Sequence, residues 1–359
     1  MNKPYPVRIL FISHSYPPIV GGIETHNFEL FTALSKIANC TLIANTNRSL
    51  IPVFMFYATL RALCRIQKYD IVLLGSGLLG ITGWIVKKAT GKPVVAVTHG
   101  LDITYNKLIY QKLWVRHFIP SLDKLIAVGK STIKAGIDRG IPEDKFVFIP
   151  NGININKHYT SNSRHKLENI LKIDITGKSV LLTLGRLIKR KGVAWFIQNV
   201  LPKLDDSVIY VIAGDGPEKR NTISLISETG QKNRVFMLGR ISDQVRDILF
   251  NTCDIFVQPN IMISGDIEGF GISALEAASY KMPVVASRLE GLQDAIKDGQ
   301  NGFLVEPENP DEYVLKIMEL LGNKNFRKSF GEKARQFVID NYQWKEIAIR
   351  YAEELKRLI

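Results

Sequence analysis

Residues 179–192 read SVLLTLGRLIKRKG: an apolar, leucine-rich run, a glycine, and then Arg186, Lys189, Arg190 and Lys191. Such a run, closed by a glycine, reads as a strand buried on both faces, as in a parallel sheet covered by helices. Downstream, 207–213, 234–238, 254–258, 283–286 and 302–305 repeat the pattern, with helix-period segments between them. Upstream, an independent series occupies 7–13, 40–44, 70–74, 93–98, 124–128 and 146–149. The chain therefore reads as α/β, with two doubly wound, Rossmann-like domains in tandem. The boundaries fall at 1–165 and 166–340, across a polar linker at 151–169, and 341–359 forms a final helical segment. In such sheets ligands bind beyond the carboxyl ends of the strands. Two domains facing a central cleft would bring both sets of strand-end loops around one ligand.

A length of 359 residues suits two domains, and 46% hydrophobic residues argue against disorder. Cys40, Cys64 and Cys253 are odd in number, far apart and without a C-x-x-C pair, which fits a reduced, cytoplasmic compartment and gives no zinc spacing. The N-terminal MNKPYPVRILFIS enters a strand-like run with no long apolar signal region. Two apolar stretches, 50–60 and 71–86, are each shorter than a crossing helix requires and are expected to be buried elements. The net charge is +13. Residues 1–150 hold 18 Lys and Arg against 8 Asp and Glu, a balance of +10, whereas 151–359 hold 29 against 26, a balance of +3. The first half is thus expected to meet something anionic.

GSGLLG at 75–80 satisfies G-x-G-x-x-G after a strand, and Asp102 follows where a ribose-binding acid would stand. An NAD(P)-dependent oxidoreductase is the alternative it supports. Against it, the motif lies on the third strand, and the first turn, HSYPPIVGGIETH, lacks the pattern. The glycines equally serve a tight turn into a closely packed helix.

DIEGFGISALE (266–276) places Glu268 and Glu276 either side of a Gly-Phe-Gly. Gly269 and Gly271 argue that a helix starts near Gly271, with Glu268 in the preceding loop. The amides of Phe270, Gly271 and Ile272 would then form a phosphate seat at the positive helix end. Glu276 would accept two hydrogen bonds from the vicinal diol of a ribose; a capped helix with solvated glutamates is the plainer alternative. In GRLIKRKG the fork of arginine and the mobile charge of lysine suit a diphosphate, as they also suit a solvated turn. AGDGPEK (213–219) is a further glycine-rich strand end, either close to a nucleotide or only a turn.

GRLIKRKG, AGDGPEK, LGR (238–240) and the Glu268–Glu276 pair running into ALEAASYKMPVVAS, in that order, resemble glycosyltransferase family 4. SYPPIVGGIETH (15–26), THG (98–100) and IPNGIN (149–154) match in place, so the similarity covers nearly the whole chain. The resemblance implies the GT-B fold and a retaining transferase acting on nucleotide sugars. It implies that Arg186 and Lys191 hold the diphosphate and Glu276 the ribose. Gly214, Gly216, Gly239, Gly269, Phe270, Gly271 and Ile272 would line the donor, with Glu268 near the sugar's reacting face. His99 would contact the sugar, and Gly21, Gly22 and Glu24 would form an acceptor or phosphate loop. The segment 341–359 would pack back on the first domain. LLGSGLLG departs from a His-containing strand end frequent in the family.

The function expected is transfer of a hexosyl unit from a UDP- or GDP-linked sugar to an acceptor hydroxyl in cell-envelope polysaccharide, lipopolysaccharide or glycolipid synthesis. A non-catalytic nucleotide-sugar binder is a second alternative. There is no D-x-D, so no metal and no cofactor are expected, Lys and Arg standing in for a divalent ion. YNKLIYQKLWVRHF (105–118) interleaves Lys107, Lys112, Arg116 and His117 with Tyr110, Trp114 and Phe118, which suits peripheral docking on an anionic membrane carrying a lipid-linked acceptor. An amphipathic surface helix with its aromatics in the core is the alternative. No recognition motif points to nucleic acid.

Overall fold

A computed structural model describes residues 7–155 and 164–359 and divides the chain into two compact units. The first is Met1–Asn154 with Gly265–Phe270 and Tyr342–Ile359; the second is Ile155–Ser264 with Gly271–Asn341. The division passes between Phe270 and Gly271, so Glu268 is grouped with the first unit and Glu276 with the second.

In the first unit, β1 (Arg8–Ser13), β2 (Asn39–Ala44), β3 (Ile71–Leu74), β4 (Val94–Thr98), β5 (Lys124–Ala127) and β6 (Phe146–Phe148) form a parallel sheet of order β2-β1-β3-β4-β5-β6. Nothing but apolar side chains occupies β3, and all four are buried, as a strand covered on both faces requires. Helices cover one face through Phe54, Ala58, Val86, Val115 and Ile119, which share a core with Leu10, Val72 and Leu125. Each such buried side chain stabilises the unit by about 1.5–3 kcal/mol. Gly83 lets the Gly80–Thr90 helix approach β3, since a Cβ there would lie 2.7 Å from Leu74 Cδ1. On the other face, the Gly22–Leu34 helix packs beside the Trp344–Lys356 helix, the latter lying in the segment 341–359.

In the second unit, β7 (Ser179–Leu184), β8 (Val208–Ala213), β9 (Val235–Gly239), β10 (Ile255–Gln258), β11 (Val284–Ser287) and β12 (Phe303–Val305) give a parallel sheet of order β12-β11-β10-β7-β8-β9. All twelve strand candidates are strands. Each sheet has one topological switch point, between β1 and β3 and between β7 and β10, where loops diverge and a crevice opens at the strand ends.

Two sequence expectations are corrected. The linker expected at 151–169 is in part a helix, Arg164–Leu171, anchored by Arg164 on Asp254 at 3.1 Å; residues 156–163 lie outside the described residues. The stretch 50–60 is not buried: Val53, Phe56, Tyr57 and Leu60 stand exposed on the Ile51–Arg65 helix. Taken with its 3₁₀ ends, Arg48–Lys68 spans 21 residues and contains an 18-residue window of mean hydropathy 1.4, long and apolar enough to cross a membrane, contrary to the length judged from sequence. Its Phe54, Ala58 and Ala62 nevertheless sit in the sheet's core, so it lies on the unit as an amphipathic layer.

Candidate active site

At the β7/β10 switch point, the loop after β7 is stitched to its neighbours through backbone. Gly185 N–H donates to Ala213 O, Leu187 N–H to Asp215 O, and Ile261 N–H to Arg190 O. Gly192, at φ 64°, permits this, because a Cβ would lie 1.8 Å from Pro259 O. Arg186 and Lys189 point to solvent, Lys191 is half-buried, and Arg190 is turned inward. A Cβ built on Gly185 would lie 3.8 Å from Lys191 Cε and 4.0 Å from Ser273 Oγ. A cation and the start of a helix therefore meet above one glycine.

That helix is Ile272–Ser279, opening at Gly271 with φ 94°. It starts as the sequence implied, with Glu268 left in the preceding segment. Its first N–H groups have no partners within the helix. Glu276 is half-buried and stands three residues beyond Ser273, on the same helical face. Gly214 and Gly216 face protein: Cβ atoms there would lie 1.8 Å from Gly185 O and 2.2 Å from Leu187 O. Their missing side chains serve loop packing. Gly239, at φ 65°, has open space beside it.

At the first unit's switch point the loops after β1 and β3 are joined by His14 Nδ1 and Ser76 Oγ at 2.9 Å. Glu24 is buried beneath the glycine loop and accepts from Ser15 Oγ at 2.5 Å and Arg48 Nη2 at 2.8 Å. Burial opposes its ionisation, but these two hydrogen bonds, a backbone hydrogen bond and the charge of Arg48 together outweigh it and hold the carboxyl below its usual range. Glu24 is thus engaged in holding the loop that Gly21 and Gly22 form. Gly21 lies over Glu24, while Gly22 has nothing within 4 Å of a built Cβ.

His99 follows β4. Its Nε2 lies 3.0 Å from Gly75 O, a pure acceptor, so Nε2 carries the proton and Nδ1 is the free lone pair. Asp102 accepts from the backbone N–H of His99 and of Gly77, each at 2.9 Å. Those bonds answer the dinucleotide alternative. The acid placed for a ribose is buried with each oxygen engaged by a loop amide, and the Gly77 N–H that would meet a pyrophosphate is committed to it. A Cβ on Gly75 would lie 2.6 Å from Asn27, and one on Gly77 3.1 Å from Ile119, so the glycines serve packing.

The segment Gly265–Phe270 lies against this loop. A Cβ on Gly269 would be 2.7 Å from His99 O, one on Gly100 would be 3.3 Å from Ile267 Cγ1, and Ser131 Oγ donates to Glu268 O at 3.4 Å. Glu268 is buried there, and Phe270 packs 6.0 Å from the Tyr342 ring. The sequence did not single out His14, Ser76, His26 or Asn151. His26, quoted only as the end of GGIETH, is 1% exposed, pairs through Nδ1 with Asn151 Oδ1 at 2.6 Å, and stands edge-on to His99 at 4.9 Å. Histidines on strand-end loops of one sheet were the signal available.

Burial lowers His14 to about 4, with His99 adding to the effect. Burial likewise depresses His26 and His99, Asp102 partly opposing it at His99. Near neutral pH these rings are uncharged. Among the described residues, no group of three or more His, Cys, Asp or Glu is placed to hold a metal ion.

Two facts define the class: paired parallel sheets of the GT-B kind, and cations beside a helix start at a switch point. The model for Glycosyltransferase Family 4 matches residues 41–157, and that for Glycosyl transferases group 1 matches 166–337. An uncharacterised glycosyltransferase of Methanocaldococcus jannaschii is 26% identical, over 95% of this chain and 96% of its own. A GDP-mannose-dependent alpha-(1-6)-phosphatidylinositol monomannoside mannosyltransferase of Mycolicibacterium smegmatis is 23% identical, over 97% and 98%. Anabaena HepE in complex with UDP shares the fold at a TM-score of 0.79, with 22% identity over 98% of this chain and 100% of that one. The chain belongs to the family 4 glycosyltransferases and has the GT-B fold.

Proposed function

We propose that the protein transfers a hexosyl unit from a UDP- or GDP-linked sugar to an acceptor hydroxyl of a cell-envelope polysaccharide, lipopolysaccharide or glycolipid, with retention and without a metal. The convergence of Lys191 and the Ile272–Ser279 helix start on Gly185 carries it. Lys191 and Arg186 would take the diphosphate charge, the amides at 270–272 would add their dipoles, and Glu276 would accept from the ribose hydroxyls. The mycobacterial relative is named for GDP-mannose, a donor of this class, and HepE binds UDP, the nucleotide that a UDP-linked donor leaves.

His99 would accept a sugar hydroxyl at Nδ1, and Glu268 would stand near the reacting carbon. The acceptor oxygen would attack C1 from the face the diphosphate leaves. As its bond to C1 forms and the C1–O–P bond breaks, the acceptor proton would pass to a diphosphate oxygen. The cations stabilise the charge on that departing group, as a divalent ion does in other transferases. Three free thiols fit a reducing, cytoplasmic compartment. The test is a panel of UDP- and GDP-sugars, read as thermal stabilisation and slow donor hydrolysis. Stabilisation by one donor supports the assignment; none by any member refutes it.

A further inference from the structure

The first unit exposes an apolar surface on the helical layer that covers one face of its sheet. The Ile51–Arg65 helix, the Gly80–Thr90 helix and the turns Leu108–Tyr110 and Gln111–Phe118 lie side by side there. Thr59 Oγ1 donates to Thr82 Oγ1 at 3.1 Å, and the Trp84 ring lies 5.5 Å from that of Phe118. Their inner residues, among them Phe54, Val86 and Val115, share one core. The opposite side of this layer therefore faces solvent.

That outer side is apolar where solvent-facing helices are usually polar. Val53, Phe56, Tyr57 and Leu60 recur at helical spacing, with Val53 65% and Phe56 69% exposed. Leu108 is 88% and Ile109 73% exposed. The Ile51–Arg65 helix has two apolar stripes, one in the core and one outside. Tyr110 is buried and Trp114 and Phe118 half-buried, so these aromatics turn inward with Val115, while Tyr105, Leu108, Ile109 and Leu113 stand out.

The charges on this layer are of one sign. Across 51–65, 80–90 and 108–118 the ionised side chains are Arg61, Arg65, Lys87, Lys88, Lys112 and Arg116, with no Asp or Glu. Lys87 pairs with Asp123 at 2.8 Å, and the other five are exposed. On the sheet's other face, the Gly22–Leu34 and Trp344–Lys356 helices carry the acids Glu24, Glu29, Glu346, Glu353 and Glu354 against the bases Lys345, Arg350 and Lys356, so the two signs are mixed there. Five exposed cations with no acid among them are thus gathered around an apolar surface on one side.

We infer that this layer docks flat on a bilayer containing anionic lipid. Val53, Phe56, Leu60, Leu108 and Ile109 would enter the headgroup boundary, and Arg61, Arg65, Lys88, Lys112 and Arg116 would meet the lipid phosphates. The inference gives the proposed glycolipid or lipid-linked acceptor a physical location, and rests on that acceptor only for its purpose. Vesicle binding needs no sugar donor, so failure of docking and failure of transfer are separable.

Sedimentation of the full chain with phosphatidylcholine vesicles, with and without phosphatidylglycerol, tests it. Wild type binds the anionic vesicles at low salt, binds neutral ones poorly, and is released by salt. Phe56→Asp with Leu60→Asp, and separately Leu108→Asp with Ile109→Asp, weaken binding about tenfold or more. Unchanged melting temperature and donor hydrolysis show that the fold and donor site survive. Absence of wild-type binding at low salt, or full binding by both double variants, overturns the inference. A concentration-dependent dimer that these substitutions abolish, without vesicle binding, would assign the surface to a second copy instead.

Discussion

His99 Nε2 donates to Gly75 O at 3.0 Å, and this one bond decides which nitrogen the ring presents. The two residues follow β4 and β3, neighbouring strands, of which β3 borders the first unit's switch point. Asp102 ties the same loops together by accepting from the amides of His99 and Gly77. A hydroxyl reaching Nδ1 therefore meets an acceptor already oriented by backbone.

His99→Ala is expected to lower kcat about 10- to 100-fold with little change in melting temperature. Asp102→Asn would set an amide NH₂ against a backbone N–H and destabilise the fold by about 1–3 kcal/mol, lowering kcat with it. Steady-state kinetics beside thermal melts separate the two. A wild-type rate in His99→Ala removes the ring from the reaction.

Acid should weaken the first unit. His14 is held at about 4, against about 6.5 in an unfolded chain, and His26 and His99 are depressed as well. Between the two values the unfolded state binds more protons. Stability is thus complete above about pH 6.5 and is lost as pH falls toward 4, on the order of 3 kcal/mol for His14. Urea midpoints measured across this window should fall, and His14→Gln should flatten the slope. A midpoint that holds steady would contradict the assignment.

Two glycines of similar appearance should behave differently. Gly192→Ala places a Cβ 1.8 Å from Pro259 O at φ 64° and should cost on the order of 3 kcal/mol or prevent folding. Gly22→Ala meets nothing within 4 Å and should leave the melting temperature unchanged while raising KM for donor or acceptor. Denaturant melts and KM values on both variants check the contrast.

The central strands were legible because a strand covered on both faces must be apolar along its length, as IVLL in β3 is; the edge strand β2, NCTLIA, is more polar and less buried. The start of the Ile272–Ser279 helix was legible because Gly271 adopts a backbone conformation other residues resist. The exposure of 51–65 was not legible. Apolar residues at helical spacing look alike whether a stripe faces a sheet or solvent, and this helix has both kinds. Nor was the use of Gly214 and Gly216, since a glycine admits a ligand or a neighbouring carbonyl equally, and here Gly185 O and Leu187 O take the space. Asp102 read as a ribose ligand because its spacing matched. Its partners, Gly77 and His99, are set by loops that meet only after folding.

The most direct measurement is calorimetric titration of UDP and GDP into wild type, Arg186→Ala, Lys191→Ala and Glu276→Gln. Arg186 is exposed and Lys191 half-buried, so the fold should survive their loss. One nucleotide should bind wild type, and each substitution should weaken it about tenfold or more, the worth of a charge-assisted hydrogen bond. Wild-type affinity in all three variants would contradict the claim that these side chains hold the diphosphate and ribose of the donor.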